Sequence, residues 1–124
     1  MIVGVGSDVV EVARMRRELG RPGRGFRDAV FTAAEIAYCD GKRYPARHFA
    51  ARFAAKEACL KALGTGLRGN SWREVEVANG PDGEPRLVLR GNVKRSAGRR
   101  RVKRALVSLS HTERVAMAFV VLEG

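Results

Sequence analysis

The chain has 124 residues, 45% of them hydrophobic and 30% charged, enough for one domain (residues 1–124) with a real core and too few for two. Its 24 Lys and Arg against 13 Asp and Glu leave a formal net charge of +11, which predicts an anionic partner: a nucleic acid, a polyphosphate cofactor or an acidic protein. The opening Met1-Ile2-Val3-Gly4-Val5 has no basic segment and no long apolar run, so we expect no signal peptide, no membrane span and a cytoplasmic location.

Residues 2–12 are rich in valine and predict a β-strand. Gly4 and Gly6 leave room for something to approach the backbone, and Asp8 interrupts the apolar run. Taken alone, Asp8 reads as a turn or bulge residue. Residues 13–19 predict a helix and residues 20–25 a basic loop. Thr32-Ala33-Ala34-Glu35 has the spacing of a capping box, so a short helix is expected to start at Thr32 and end at Cys39, with a structural role. Cys39 and Cys59 share no metal-ligand spacing and read as buried free thiols.

Residues 46–66 predict the dominant helix. Pro45 can open it, alanine fills it, and Gly64 and Gly66 stand where a left-handed cap ends it. At about 100° per residue, Phe49, Phe53, Leu60 and Leu63 form one stripe and the alanines another, so both sides are packed. The charges are misplaced on such a helix. Lys56 falls in the large-residue stripe, Glu57 on its edge, and Lys61 one turn beyond Glu57. A carboxylate drawn into a packed helix must be paired, hydrogen-bonded or bound to a cation. A Glu57 to Lys61 pair, about 0.3 to 0.5 kcal/mol, meets that demand as well as a cation does. A second carboxylate brought to the same place would shift the balance toward the cation.

Residues 72–78 and 86–90 predict two strands joined by a hairpin loop over 79–85. Residues 92–101 predict a helix, and residues 105–110 and 114–122 a closing antiparallel pair joined through His111-Thr112-Glu113. The element order is that of an α+β fold, with a long packed helix against an antiparallel sheet.

Three blocks carry a resemblance. Gly4-Val5-Gly6-Ser7-Asp8-Val9-Val10-Glu11-Val12-Ala13-Arg14, then Arg52-Phe53-Ala54-Ala55-Lys56-Glu57-Ala58 on through Lys61-Ala62-Leu63-Gly64-Thr65-Gly66, then Ser108-Leu109-Ser110-His111-Thr112 resemble holo-acyl-carrier-protein synthase, the small trimeric group of the 4′-phosphopantetheinyl transferases. The likeness spans nearly the whole chain in order. It implies a homotrimer with active sites between neighbours, which takes coenzyme A and Mg²⁺, moves phosphopantetheine to a serine of an acidic acyl carrier protein, and releases adenosine 3′,5′-bisphosphate. Fatty-acid, polyketide and peptide-synthetase carriers all remain open as acceptors.

By matched position, the resemblance makes Asp8 and Glu57 the Mg²⁺ ligands, Lys61 a partner of the phosphates or of the attacking hydroxyl, and Arg14 a contact for the carrier. It sets Arg52, Gly64, Ser110 and His111 along the coenzyme A site. His111 equally reads as the cap of a turn. Ser7 stands where the group usually carries an apolar residue or threonine. His48 lies in no matching block and reads as solvated or structural. Arg14, Arg16, Arg17, Arg21 and Arg24 read either as a surface that steers an acidic carrier or as plain solvated charge. The competing class is a small basic nucleic-acid-binding protein without enzymatic activity. Nine Lys or Arg between positions 86 and 104 with no acid among them favour it, and the absence of aromatic residues interleaved as stacking platforms opposes it. The basic run at 99–104 reads as solvated surface.

Overall fold

The computed structural model describes every residue except Arg24. Strand β1 (Ile2–Glu11) leads into helix α1 (Val12–Gly20), followed by the short α2 (Phe26–Val30), α3 (Ala33–Asp40) and the long α4 (Pro45–Leu63). A single 3-10 turn (Trp72–Glu74) precedes β2 (Val75–Asn79) and β3 (Pro85–Leu89). Helix α5 (Gly91–Arg99), β4 (Arg104–His111) and β5 (Val115–Glu123) complete the chain. All pairings are antiparallel: a three-stranded sheet in the order β1-β5-β4 and a two-stranded ribbon of β2 and β3.

Helix α4 lies across the three-stranded sheet, and side-chain size sets how closely. On the face of β1 toward the helix, Gly4 and Gly6 come first; a Cβ at Gly4 would drive into the carbonyl oxygen of Ala62, and one at Gly6 into that of Ala58. The alanine side of α4 is therefore where strand and helix backbones nearly touch. The opposite stripe, Phe49, Phe53, Leu60 and Leu63, is buried with Phe31 and Val75, so the helix is packed both ways as its sequence requires. Gly64 ends it with φ +75° as a left-handed cap. Arg100 adds a second cap, donating to the carbonyl oxygens of Leu63 at 2.6 Å, Ala62 at 3.1 Å and Val3 at 3.1 Å. A guanidinium there satisfies the orphan carbonyls and faces the negative end of the helix dipole. That gives one member of the 99–104 run a structural task. Arg104 has another partner, with its Nε 3.3 Å from Glu123.

Lys56 is fully buried. It donates to Glu35 Oε1 at 2.8 Å and to the carbonyl oxygens of Val75 at 2.5 Å and Trp72 at 3.1 Å. Glu35 also accepts from the amides of Thr32 and Val77, the first of these closing the predicted capping box. One buried ion pair thus ties α4 to α3 and β2 with every polar atom at the junction partnered.

Three local expectations change. Trp72 to Glu74 form a 3-10 turn instead of the start of a strand, because Ser71 and Glu74 cap each other reciprocally and pull the segment into a turn. Residues 26–30 form a helical turn, α2, that propensity alone did not mark. Asp8 is neither a turn nor a bulge residue: it sits in regular register opposite Ala118, and the one irregularity of β1 falls between Ile2 and Gly4.

The other face of the three-stranded sheet is open. Val5, Val9, Leu106, Met117 and Phe119, all between 42% and 62% exposed, share it. No helix of the described chain is long and apolar enough to cross a membrane.

Candidate functional site

Beyond Gly4 and Gly6, the next side chain on the same face of β1 is Asp8. The glycines bring the helix so near that Asp8 meets the turn of α4 that carries Glu57 and Lys61. Lys61 Nζ lies 3.0 Å from Asp8 Oδ1 and donates to the Ser7 carbonyl oxygen at 3.1 Å. The lysine thus reaches across to the strand, and its ion pair is with Asp8 instead of the helical neighbour Glu57. Ser7 enters through its backbone, so its change of side chain leaves this contact intact.

Glu57 faces Asp8. Burial pushes its carboxyl up to about 7, and repulsion from Asp8 together with a hydrogen bond between the two carboxyl groups adds to that; Lys61 and Arg14 pull the other way. Two acids so close hold a proton where a cation would otherwise sit. The site is open on one side: Asp8 is half-buried and Lys61 exposed. Among the described residues no group of three or more His, Cys, Asp and Glu gathers to enclose a metal. The cluster therefore presents two hard oxygen donors and a cation beside them, a set suited to an ion that takes its remaining ligands from water and phosphate. Arg14 lies on the exposed side of α1, and its charge reaches Glu57.

A second group of predicted residues lies at the other edge of the sheet. Arg52 is only 3% exposed; its guanidinium stacks over the Tyr38 ring at 3.9 Å and donates from Nη2 to Asn79 Oδ1 at 2.9 Å, while its Nε has no partner. His111, at the end of β4, and His48, on α4, pack edge to face with ring centroids 5.0 Å apart. Arg52, His111, His48, Tyr38 and Asn79 line one cavity of about 290 Å³. A buried guanidinium with an unsatisfied N–H in a cavity that also holds two imidazoles is a place for an anionic oxygen.

On the helix-facing side of the sheet, Asp8 pairs with Ala118 of β5, which pairs with Leu109 of β4; His111 is one step along that same face. Two strand spacings, roughly 10 Å, separate the carboxylate edge from the arginine edge, and α4 bridges them. A ligand with two separated phosphate groups can touch both.

Gly64 and Ser110 join neither cluster. Gly64 is the cap of α4, and Ser110 lies on the exposed face of β4 opposite to His111. His48, read from sequence as solvated or structural, packs against Tyr38 and His111 and lines the same cavity, a position that depends on α3 and β4 closing around it. Cys39 and Cys59 are buried free thiols, each pushed up to about 12 by burial, so neither is a nucleophile at neutral pH. Of the arginines around the first helix, Arg14, Arg16, Arg17 and Arg21 are exposed; Arg24 lies outside the described residues.

Comparison with known proteins gives one answer. Residues 4–120 match the model of the 4′-phosphopantetheinyl transferase superfamily. The chain is 46% identical to the holo-[acyl-carrier-protein] synthase of Koribacter versatilis, over 99% of both chains. Its structure superposes on that of the holo-[acyl-carrier-protein] synthase from Neisseria meningitidis with TM-score 0.90, at 33% identity and full coverage of both chains. The Helicobacter pylori synthase in complex with coenzyme A gives TM-score 0.84 at 28% identity, covering 96% of this chain and 99% of that one.

Proposed function

The chain belongs to the 4′-phosphopantetheinyl transferase superfamily, in its holo-acyl-carrier-protein synthase group, and from that premise we propose that Asp8 and Glu57 hold Mg²⁺ while the enzyme moves phosphopantetheine from coenzyme A to an acyl carrier protein. One observation supports this reading above the rest: two carboxyl groups from separate elements abut, with Glu57 pushed up to about 7, on the same helix whose buried Lys56 is fully paired with Glu35. That mismatch is what a cation relieves.

The transfer joins a serine oxygen of the carrier to the phosphorus next to pantetheine and breaks the bond to adenosine 3′,5′-bisphosphate; the serine proton passes to water. Phosphoryl transfer of this kind asks mostly for in-line positioning and neutralised charge. When bound, Mg²⁺ supplies that neutralisation at the diphosphate. The protein's own groups do the rest. Lys61, mobile at the rim, adds a point charge for the phosphate oxygens. Arg52 and His111 receive the nucleotide end in the cavity across the sheet, and α4 fixes the span between the two. Exposed Arg14 beside the carboxylates meets an acidic carrier as it delivers its serine.

The open apolar face of the sheet supports assembly of the chain, as one domain, into a trimer with the sites near subunit boundaries. The absence of a spanning helix among the described residues fits a cytoplasmic location.

The test incubates the protein with coenzyme A, Mg²⁺ and a panel of apo carrier proteins from fatty-acid, polyketide and peptide synthesis, each then weighed by mass spectrometry. At least one carrier is expected to gain a phosphopantetheine. If none does, the reading is wrong. In the same assay, Arg14→Ala should raise KM for the carrier about tenfold and leave KM for coenzyme A unchanged; the reverse pattern contradicts its assignment.

A further inference from the structure

His48 stands outside every motif that identifies the family, yet it shares a wall with Arg52 and His111. Its ring packs edge to face against His111 at 5.0 Å and against Tyr38 at 6.0 Å. The charges around it have one sign. From its own helix come Arg47 and Arg52; from β4 comes His111; and from the turn after α3 comes Lys42, whose ammonium sits 4.5 Å over the Tyr38 ring. Asn79, the polar side chain contributed from β2, is neutral, and no carboxylate is among the residues that line the cavity. The His48 ring, five ångströms from a second imidazole and beside a buried guanidinium, resists charge while the cavity is empty and favours it when an anion enters.

We propose that His48 is a binding residue for the nucleotide half of coenzyme A, and that it takes up a proton from solvent when a phosphate group enters the cavity. The inference rests on the coenzyme A reading above. In the free protein, burial first and then His111, Arg52, Lys42 and Arg47 hold His48 below the ordinary histidine range, so it is neutral at neutral pH. A phosphate beside the ring reverses the field. The imidazolium becomes the favoured form, and both ring nitrogens then donate.

The sign of the linkage follows. Because the bound form holds the proton more tightly than the free form, coenzyme A binds more strongly as pH falls, and the gain levels off once free His48 is protonated as well. Each pH unit separating the two proton affinities is a tenfold change in affinity for the ligand.

The chain has two histidines, so ring NMR can follow each one. His48 is expected to titrate about one pH unit higher with coenzyme A than without it. Calorimetry in two buffers of different ionisation enthalpy should show net proton uptake on binding by the wild type, reduced in His48→Gln. The variant should also flatten the pH dependence of the dissociation constant about tenfold between mildly acidic and mildly alkaline conditions. A phosphomonoester titrates near pH ~6 on its own account, so dephospho-coenzyme A serves as the second ligand. Uptake that persists with it supports a partner in the diphosphate, and uptake lost with it supports the phosphomonoester.

A His48 titration that stays put or moves down in the wild type overturns the proposal without recourse to any variant. Equal proton uptake by the wild type and His48→Gln, with both ligands binding normally, overturns it too. A protein that does not bind coenzyme A at all overturns this proposal and the functional reading together.

Discussion

Helix α4 carries two lysine–carboxylate contacts little more than one turn apart, and they are built to opposite specifications. At Lys56 the pair is sealed. Both side chains are 0% exposed, and Glu35 and Lys56 fill their remaining hydrogen bonds with backbone amides and carbonyls. At Lys61 the lysine is half in solvent, its partner Asp8 is shared with a second carboxyl group, and that second group is held well above its ordinary range. The buried pair is complete without a ligand; the rim cluster sets two carboxyl groups against each other with one lysine between strand and helix. The difference separates a charge that holds the fold from charges that await something.

The comparison is broken most directly by removing Lys56. Lys56→Met leaves Glu35 buried without its cation and should cost about 3–5 kcal/mol in urea unfolding, with much of the loss restored in Lys56→Met/Glu35→Gln. A variant as stable as the wild type would mean that the pair is not the tie described. At the rim the effect should be reversed. Asp8→Ala or Glu57→Ala is expected to lower kcat/KM by about 10²- to 10³-fold while leaving the unfolding midpoint equal or higher, because a repulsion is removed. Near-wild-type turnover in either variant contradicts the site.

A smaller effect sharpens the contrast. In the metal-free protein Glu57 retains a proton up to about 7 that the unfolded chain releases near 4.5. Between those values the folded state binds more protons, so stability falls as pH rises through the window and is flat above it. Calorimetric melting of the metal-free wild type should show that slope and Glu57→Gln should lack it. An identical slope in both would assign it to another group.

The two regions also differ in how far they could be read from sequence. The rim cluster was legible as an anomaly: Asp8 in an apolar strand and Glu57 on a packed helix each had a local explanation, a turn and a pair with Lys61, that the fold does not use, and Gly4, Gly6 and the alanine stripe announced the close approach that joins them. The buried pair was half legible. Thr32 and Glu35 gave the capping box, but the second use of that carboxylate, as partner to Lys56, depends on α3 stacking across α4. The surroundings of His48 were not legible for the same reason, since its neighbours Tyr38 and His111 come from elements distant in the chain. Arg100 looked like one more surface charge in a basic run, and only the docked end of α4 shows the carbonyls it caps. The strands and α4 followed from local periodicity; the turn at Trp72 to Glu74 was decided by the reciprocal cap of Ser71 and Glu74, and α2, at five residues, is too short to show a period.

The central claim is that Asp8 and Glu57 together hold a divalent cation beside the coenzyme A diphosphate. Mn²⁺ in place of Mg²⁺, followed by electron paramagnetic resonance in the wild type and in Asp8→Asn with and without coenzyme A, tests it without reference to turnover. We expect Mn²⁺ to bind the wild type, more tightly with coenzyme A present, and to lose that binding in Asp8→Asn. Equal Mn²⁺ affinity in the two proteins would contradict the account.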